Sequence, residues 1–386
     1  MAVTDFSARA HSLVPSKIRD VAELGMGDPS VIPLWFGEAN WTSPDLAIQS
    51  AKVALDAGQT RYQPNNGVPA LREAIAAYLH RVFDRQIERP RITVTASGMQ
   101  GLALAAQAIV QPGDPVVILQ PGWPNIGGCF AIAGGEIRPF GLQAVDGKWR
   151  LDLGGLLEQL TPDVRCFVVN SPNNPTGWTL SREDQRILLE HCRKNGIWLV
   201  SDEVYSRLYR HGDAAPSFLE LAEADDRVIV VSSFSKAWAM TGWRLGWLVT
   251  PPELEGPLAM LTEFNVACAP AFIQAAGIDV LEQGEGFVQE QRQRIETAFD
   301  YMSQRLGTMN RVDFIEPDGA FYAFFRIEGV TDSLATAKDI LMKSRVGLAP
   351  GIAFGEQGEG YLRLCYAQPA DLLREALDRL EAYFRA

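Results

Sequence analysis

Between Arg91 and Val231 the chain repeats one rhythm: a short apolar run, a cluster of polar residues or glycines, then a stretch with helical spacing. Ile92-Thr-Val-Thr95, Val116-Val-Ile-Leu119, Cys166-Phe-Val-Val-Asn170, Ile197-Trp-Leu-Val200 and Val228-Ile-Val-Val231 are too short for helices. A strand that is apolar on both sides must be covered on both sides. The pattern therefore predicts an α/β fold with a mostly parallel sheet under helices on both faces. Glu136 to Phe140 reads as a further strand. A helix is expected to start at Ser181, with Asp184 three residues on as a capping signal. The clusters that follow the strands hold Ser97, Trp123, Asn174, Asp202 and Ser233. In open α/β sheets the ligand crevice lies outside the carboxyl ends of the strands, so five such clusters on one edge point to a site.

The flanking segments follow other patterns. Residues 1–30 are expected to form an arm with a short helix, packed on a small domain. Ile32 to Asn40 reads as a short strand entering a loop, 45–57 and 69–82 as helices, and Arg61 to Gly67 as a loop. After Pro251 helical spacing dominates, with a long polar stretch over 282–306. Strands near 321–326 and 360–367, a helix near 334–344 and an amphipathic closing helix over 371–384 then make a smaller α+β unit. The expected division is an arm (1–30), a large domain (31–280) and a small C-terminal domain (281–386), in keeping with a length of 386 residues. A formal net charge of −12 argues against a broad nucleic-acid surface. The longest apolar stretch, Gly101 to Val110, is too short for a membrane span, and the first residues lack an apolar signal core. The five cysteines are scattered, without metal-type pairing. A cytoplasmic, reduced, metal-free protein without nucleic-acid or membrane partners is expected.

Chemistry concentrates in Val228 to Trp247. Lys236 stands among Phe234, Trp238 and Met240, and an amine deprived of water there has a lowered pKa and becomes a nucleophile toward an aldehyde. Ser233, Ser235 and Arg244, the last expected within a strand-like segment, are the donors an oxyanion requires. Ser97, Gly98 and Met99 lie where a strand becomes a helix, aiming free N–H groups at one spot. Asp202 ends a buried strand, where an ionised carboxylate is expensive unless a cation or donor meets it. Tyr205 and Asn174 are polar neighbours on the same edge, and Trp123 offers a ring face for stacking. Arg363 alternates with Leu362 and Leu364, so its guanidinium fork points to one side and suits a carboxylate. Each residue has an ordinary alternative as a cap, a turn residue, a core aromatic or an ion pair; their company is what carries the functional reading.

Together Ser97-Gly-Met-Gln100, Asn173-Asn-Pro-Thr-Gly177, Ser201-Asp-Glu-Val-Tyr205, Ser233-Phe-Ser-Lys236, Met240-Thr-Gly-Trp-Arg-Leu-Gly246 and Tyr361-Leu-Arg363 resemble the motifs of the class I/II pyridoxal-phosphate-dependent aminotransferases, the group containing aspartate aminotransferase. They span roughly residues 30 to 370, in family order. The resemblance implies fold type I, with a seven-stranded sheet in the large domain, and ping-pong transfer of an amino group between an L-amino acid and a 2-oxo acid. It implies that Lys236 binds pyridoxal 5′-phosphate as a Schiff base and then moves the substrate proton. Asp202 would pair with the pyridine nitrogen, while Asn174 and Tyr205 would meet the ring oxygen. Ser97, Gly98, Met99, Ser233, Ser235 and Arg244 would hold the phosphate and Trp123 would stack on the ring. Arg363, with Gly37, Trp123 and Asn174, would bind the substrate. Tyr62 would reach the phosphate of a neighbouring subunit, which implies a homodimer.

Met99 occupies a position where relatives preferring dicarboxylates carry lysine. With Trp35, Phe36 and Trp41 near Gly37, aromatic or other neutral amino acids are expected as well as or instead of aspartate; Asn265 is an alternative polar contact. Two rival functions stand beside transamination: another pyridoxal-phosphate reaction such as C–S β-elimination or cyclisation, and a non-enzymatic regulator.

Overall fold

Seven strands form the main sheet: β1 (Ile92–Thr95), β2 (Pro115–Gln120), β3 (Glu136–Gly141), β4 (Cys166–Asn170), β5 (Trp198–Asp202), β6 (Val228–Ser233) and β7 (Gly246–Val249). Their spatial order is β1-β7-β6-β5-β4-β2-β3. Only β7 runs against its neighbours, pairing antiparallel with both β1 and β6. In this computed structural model residue 10 and residues 13–385 are described. The first part of the expected arm, 1–9 and 11–12, lies outside the described residues, as does residue 386.

Period-two alternation divides the sheet's side chains between two cores. Val116, Ile118, Val168, Val200, Ile229, Val231 and Leu248 pack on one side, against Leu102, Ala105 and Ile109 of the helix Gly98–Ile109. Val117, Leu119, Phe167, Val169, Leu199, Val230 and Trp247 belong to the other core. The sequence-predicted strands thus exist because each apolar run has two faces to bury. The expected cap is present as well: Ser181 Oγ accepts from Asp184 N–H at 3.1 Å at the start of Arg182–Asn195, which ends at Gly196 with φ 69°.

A smaller four-stranded sheet holds β8 (Val312–Phe314), β9 (Tyr322–Ile327), β10 (Ala349–Pro350) and β11 (Tyr361–Cys365), in the order β8-β9-β11-β10. The helices Ser333–Ser344 and Ala370–Arg385 accompany it. The polar stretch expected over 282–306 is a helix, Glu285–Leu306, preceded by Ala271–Gln283. Ile32 to Asn40 contains only a two-residue strand, Ile32–Pro33, which pairs in parallel with Val346–Gly347. The expected short helix of the arm is Lys17–Ala22. No helix among the described residues is long and apolar enough to cross a membrane.

Candidate active site

The carboxyl ends of β1, β2, β4, β5 and β6 open on one cavity of ≈ 320 Å³. Of the residues singled out from sequence, Gly37, Gly98, Met99, Trp123, Asn174, Asp202, Tyr205, Ser233, Ser235, Lys236, Arg244 and Arg363 line it. Ser97 stands at its edge as the cap of Gly98–Ile109, its Oγ accepting from Gln100 N–H at 3.0 Å.

Asp202 ends β5 at the centre of the sheet and is 1% exposed. Its carboxylate accepts from Val204 N–H at 3.3 Å. Burial pushes its pKa up to about 7, against lesser lowering by that N–H group and by Lys236. Asn170 holds this strand end in register, donating to Asp202 O at 2.9 Å and accepting from Asn174 N–H at 2.8 Å.

Lys236 follows β6 in the turn of helix Phe234–Ala237. Its Nζ donates to Gly37 O at 2.6 Å, and burial brings its pKa down to about 8. The desolvating rings differ from those expected. Tyr205 and Phe321 lie 5.5 and 5.9 Å from Nζ. Phe234 and Trp238 instead pack against one another and, respectively, against Trp247 and Tyr78, because positions four apart in the helical turn share the face that meets the core.

The anion-binding corner is built by close backbone approach. A Cβ on Gly246 would lie 2.7 Å from Gly98 N, so only glycine lets β7 pass this near the Ser97–Gly98 peptide. Ser233 Oγ accepts from Ser235 N–H at 3.1 Å and bonds Ser235 Oγ at 2.9 Å. Arg244 corrects an expectation. It follows the 3-10 turn Thr241–Trp243 in left-handed conformation (φ 56°) instead of lying in a strand, and its Nη1 returns to Thr241 O at 2.5 Å.

Arg363 enters from β11 of the small sheet and is 2% exposed. Its guanidinium lies 4.5 Å from the Tyr322 ring centroid and 4.9 Å from that of Phe354. It donates to Asn174 Oδ1 at 2.8 Å and to Trp35 O, while buried Nε has no hydrogen-bond partner. Tyr205 shares a 2.6 Å hydroxyl bond with Tyr322.

Tyr322 and Asn170 were missed by sequence reasoning. Tyr322 lies in an ordinary apolar strand pattern with its partner 117 positions away, and Asn170 reads in sequence only as a strand end. Among the aromatics near Gly37, only Phe36 lines the cavity. Trp35 is buried against Gly347, and Trp41 Nε1 bonds Gln291 at 3.0 Å. Asn265 is exposed and accepts from Gln100 Nε2 at 3.2 Å. Tyr62 is 89% exposed and does not enter the cavity of its own chain.

This donor set fits pyridoxal phosphate chemically: a desolvated amine for an aldehyde, an uncompensated buried carboxylate for a ring cation, and serine hydroxyls with a glycine-lined corner for phosphate. The comparisons with known proteins agree. The family "Aminotransferase class I and II" matches residues 29–380. The chain is 34% identical to aspartate aminotransferase of Pyrococcus horikoshii over 95% of this chain and 94% of that one. It is 32% identical to aromatic-amino-acid aminotransferase 2 of Thermococcus litoralis over 99% and 98% of the two chains. The solved structure of Thermus thermophilus aspartate aminotransferase with maleate superimposes with a TM-score of 0.91 at 29% identity, covering 98% and 99%. The chain therefore belongs to the class I and II aminotransferases, amino-group transferases of fold type I whose members use pyridoxal phosphate.

Proposed function

We propose that the cavity holds pyridoxal 5′-phosphate and exchanges amino groups between an L-amino acid, with neutral or aromatic side chains accepted, and a 2-oxo acid. One observation carries this reading: Lys236, Asp202 and Arg363 converge on one cavity, with a lowered amine pKa, a raised carboxyl pKa and an unpartnered guanidinium Nε. Bound there, the cofactor supplies an electron sink for the pair left at the substrate Cα. Lys236 Nζ, desolvated and with its pKa down to about 8, is the amine placed to hold the cofactor's aldehyde, and as a free amine it would carry the proton to and from the substrate Cα. Asp202 would keep the ring nitrogen charged, Asn174 and Tyr205 would meet the ring oxygen, and Trp123 would stack on the ring. Ser97, Gly98, Met99, Ser233, Ser235 and Arg244 hold the phosphate. Arg363 binds the substrate α-carboxylate with Asn174 and the Gly37 amide, and the surrounding rings exclude water.

The same reading includes a homodimer in the cytoplasm, with Tyr62 completing the partner's phosphate site. Tyr62, Phe264, Met260 and Val266 are all exposed, Tyr62 and Val266 line one surface hollow, and exposed apolar residues there suit a subunit contact. We take the division as an arm to residue 30, a large domain to 280 and a small domain from 281. The arm's contact with the small domain is supported by Gly25, where a Cβ would lie 3.0 Å from Leu341 Cδ1. The test is borohydride reduction of the protein incubated with pyridoxal phosphate, with peptide mapping. Label on Lys236, together with an absorbance change on adding an L-amino acid, is expected; an unlabelled Lys236 sinks the proposal.

A further inference from the structure

A second cavity, ≈ 580 Å³, opens beside the first between the helix Pro124–Ala133 and the turn Gly351–Phe354. Both have Ser16, Met99, Trp123 and Asn125 as walls, so the two adjoin at the indole of Trp123. Beyond that threshold the walls are Ile118, Cys129, Ile132, Ile137 and Phe354, and Lys17 is the one charged side chain among the described lining residues. Two glycines keep the space open. Gly127 and Gly128 lie inside a helix, where glycine is unfavourable. Packing does not demand them. A Cβ on Gly128 would meet nothing within 4 Å, and one on Gly127 only Ile118 Cδ1 at 3.9 Å. Glycine at both positions disfavours the helix and, with no crowding to justify it, leaves the groove clear.

We propose that this groove is a subsite for the far end of a long, uncharged amino-acid side chain, an inference that rests on the aminotransferase reading. The α-carboxylate stays with Arg363, the reacting Cα stays near Lys236, and the side chain passes Trp123 and Met99 into the apolar groove. Chain length then becomes a specificity variable, because each methylene moved from water into the groove strengthens binding about fourfold. Dicarboxylates gain nothing there, as their terminal charge would be desolvated with only Lys17 near.

The experiment measures kcat/KM of the cofactor-loaded enzyme for straight-chain 2-amino acids from alanine to 2-aminooctanoate, in the wild type and in Gly128→Leu. The wild type is expected to gain severalfold per carbon beyond 2-aminobutanoate. Gly128→Leu, which fills the groove and favours the helix, is expected to flatten that rise while alanine stays within about twofold. A flat wild-type series overturns the subsite, and so does a variant that slows alanine and 2-aminooctanoate equally. Should no amino acid react, alanine included, the aminotransferase reading itself fails. Calorimetric binding of 2-oxooctanoate still decides the groove in that case: weaker binding to Gly128→Leu supports it and equal binding overturns it. If the variant does not fold, the wild-type length series decides alone.

Discussion

Replacing Asp202 with asparagine should move stability and activity in opposite directions. In the cofactor-free protein the Asp202 carboxyl is buried with one N–H donor, and its pKa stands at about 7 against a usual 3.8. The folded state therefore keeps a proton that the unfolded chain releases, and stability falls as pH rises from about 4 to about 7. At pH 8 the loss is complete. Three pKa units at about 1.4 kcal/mol each give an upper limit of about 4 kcal/mol. An amide of the same shape keeps the Val204 bond but must seat a buried NH₂ group, which costs about 1–3 kcal/mol if unpaired. The net expected gain of Asp202→Asn over wild type is about 1–3 kcal/mol at pH 8, reversing to a loss of about 1–3 kcal/mol near pH 4, where only the cost of the amide remains. Urea unfolding of both cofactor-free proteins from pH 4.5 to 8.5 measures this directly. Loaded with cofactor, the variant should turn over at least about a hundredfold more slowly, the scale for removing a pre-organised charge partner. A variant less stable than wild type at pH 8, or a difference that does not vary with pH, refutes the argument that this carboxylate is held at a cost.

Three further outcomes are expected. Lys236→Ala should still retain pyridoxal phosphate through the serine corner, measured by equilibrium dialysis, with turnover lost and no borohydride label at position 236. Arg363→Ala should raise the amino-acid KM by about 30-fold or more, since it removes a buried charged partner usually worth about 2–5 kcal/mol; unchanged KM would exclude it from substrate binding. In Gly37→Ala the new Cβ would sit 2.0 Å from Tyr322 Oη, so the Tyr205–Tyr322 bond should break and stability drop by about 1–3 kcal/mol. Adding Tyr322→Phe, which deletes the clashing oxygen, should restore part of that loss in thermal unfolding.

What could be read from the sequence was what short-range physics determines. Continuous apolar runs require both faces of β2, β4 and β5 to be buried, and the Ser181 cap depends on residues three apart. Strand ends with polar clusters located the cavity because a parallel sheet brings its carboxyl ends to one edge. Contacts made across the fold were not legible. Tyr322 meets Tyr205 only because β9 lies beside β11, which carries Arg363, and nothing local to Phe321-Tyr-Ala-Phe-Phe indicates that pairing. Trp35 and Phe36 are adjacent and both aromatic, yet pairing of Ile32–Pro33 with Val346–Gly347 buries the first and turns the second to the cavity. Arg244 was misread because Gly-Trp-Arg-Leu-Gly-Trp alternates like a strand, while the turn at Thr241–Trp243 sets it in the left-handed region.

The polar groups of the cavity are unequal in what they stand to gain, and that inequality explains how the site can favour chemistry at Cα. Lys236 already has Gly37 O, Arg363 has Asn174 and Trp35 O, and Tyr205 has Tyr322. For Lys236 and Tyr205 a ligand exchanges one hydrogen bond for another, so the net gain is modest, whereas Arg363 also offers a buried Nε that has no partner; in all three the geometry is held ready beforehand. The Asp202 carboxyl has only the Val204 N–H bond and a lesser lowering from Lys236, and its raised pKa records burial without a close ion-pair partner. A cationic ring nitrogen therefore has its largest favourable interaction there, and the interaction strengthens as the low local dielectric is sealed. On the proposed reading, the energy of binding would be directed to the end of the ring that draws electrons from the substrate, while the Lys236 amine, with a pKa of about 8, would stay poised to move the proton.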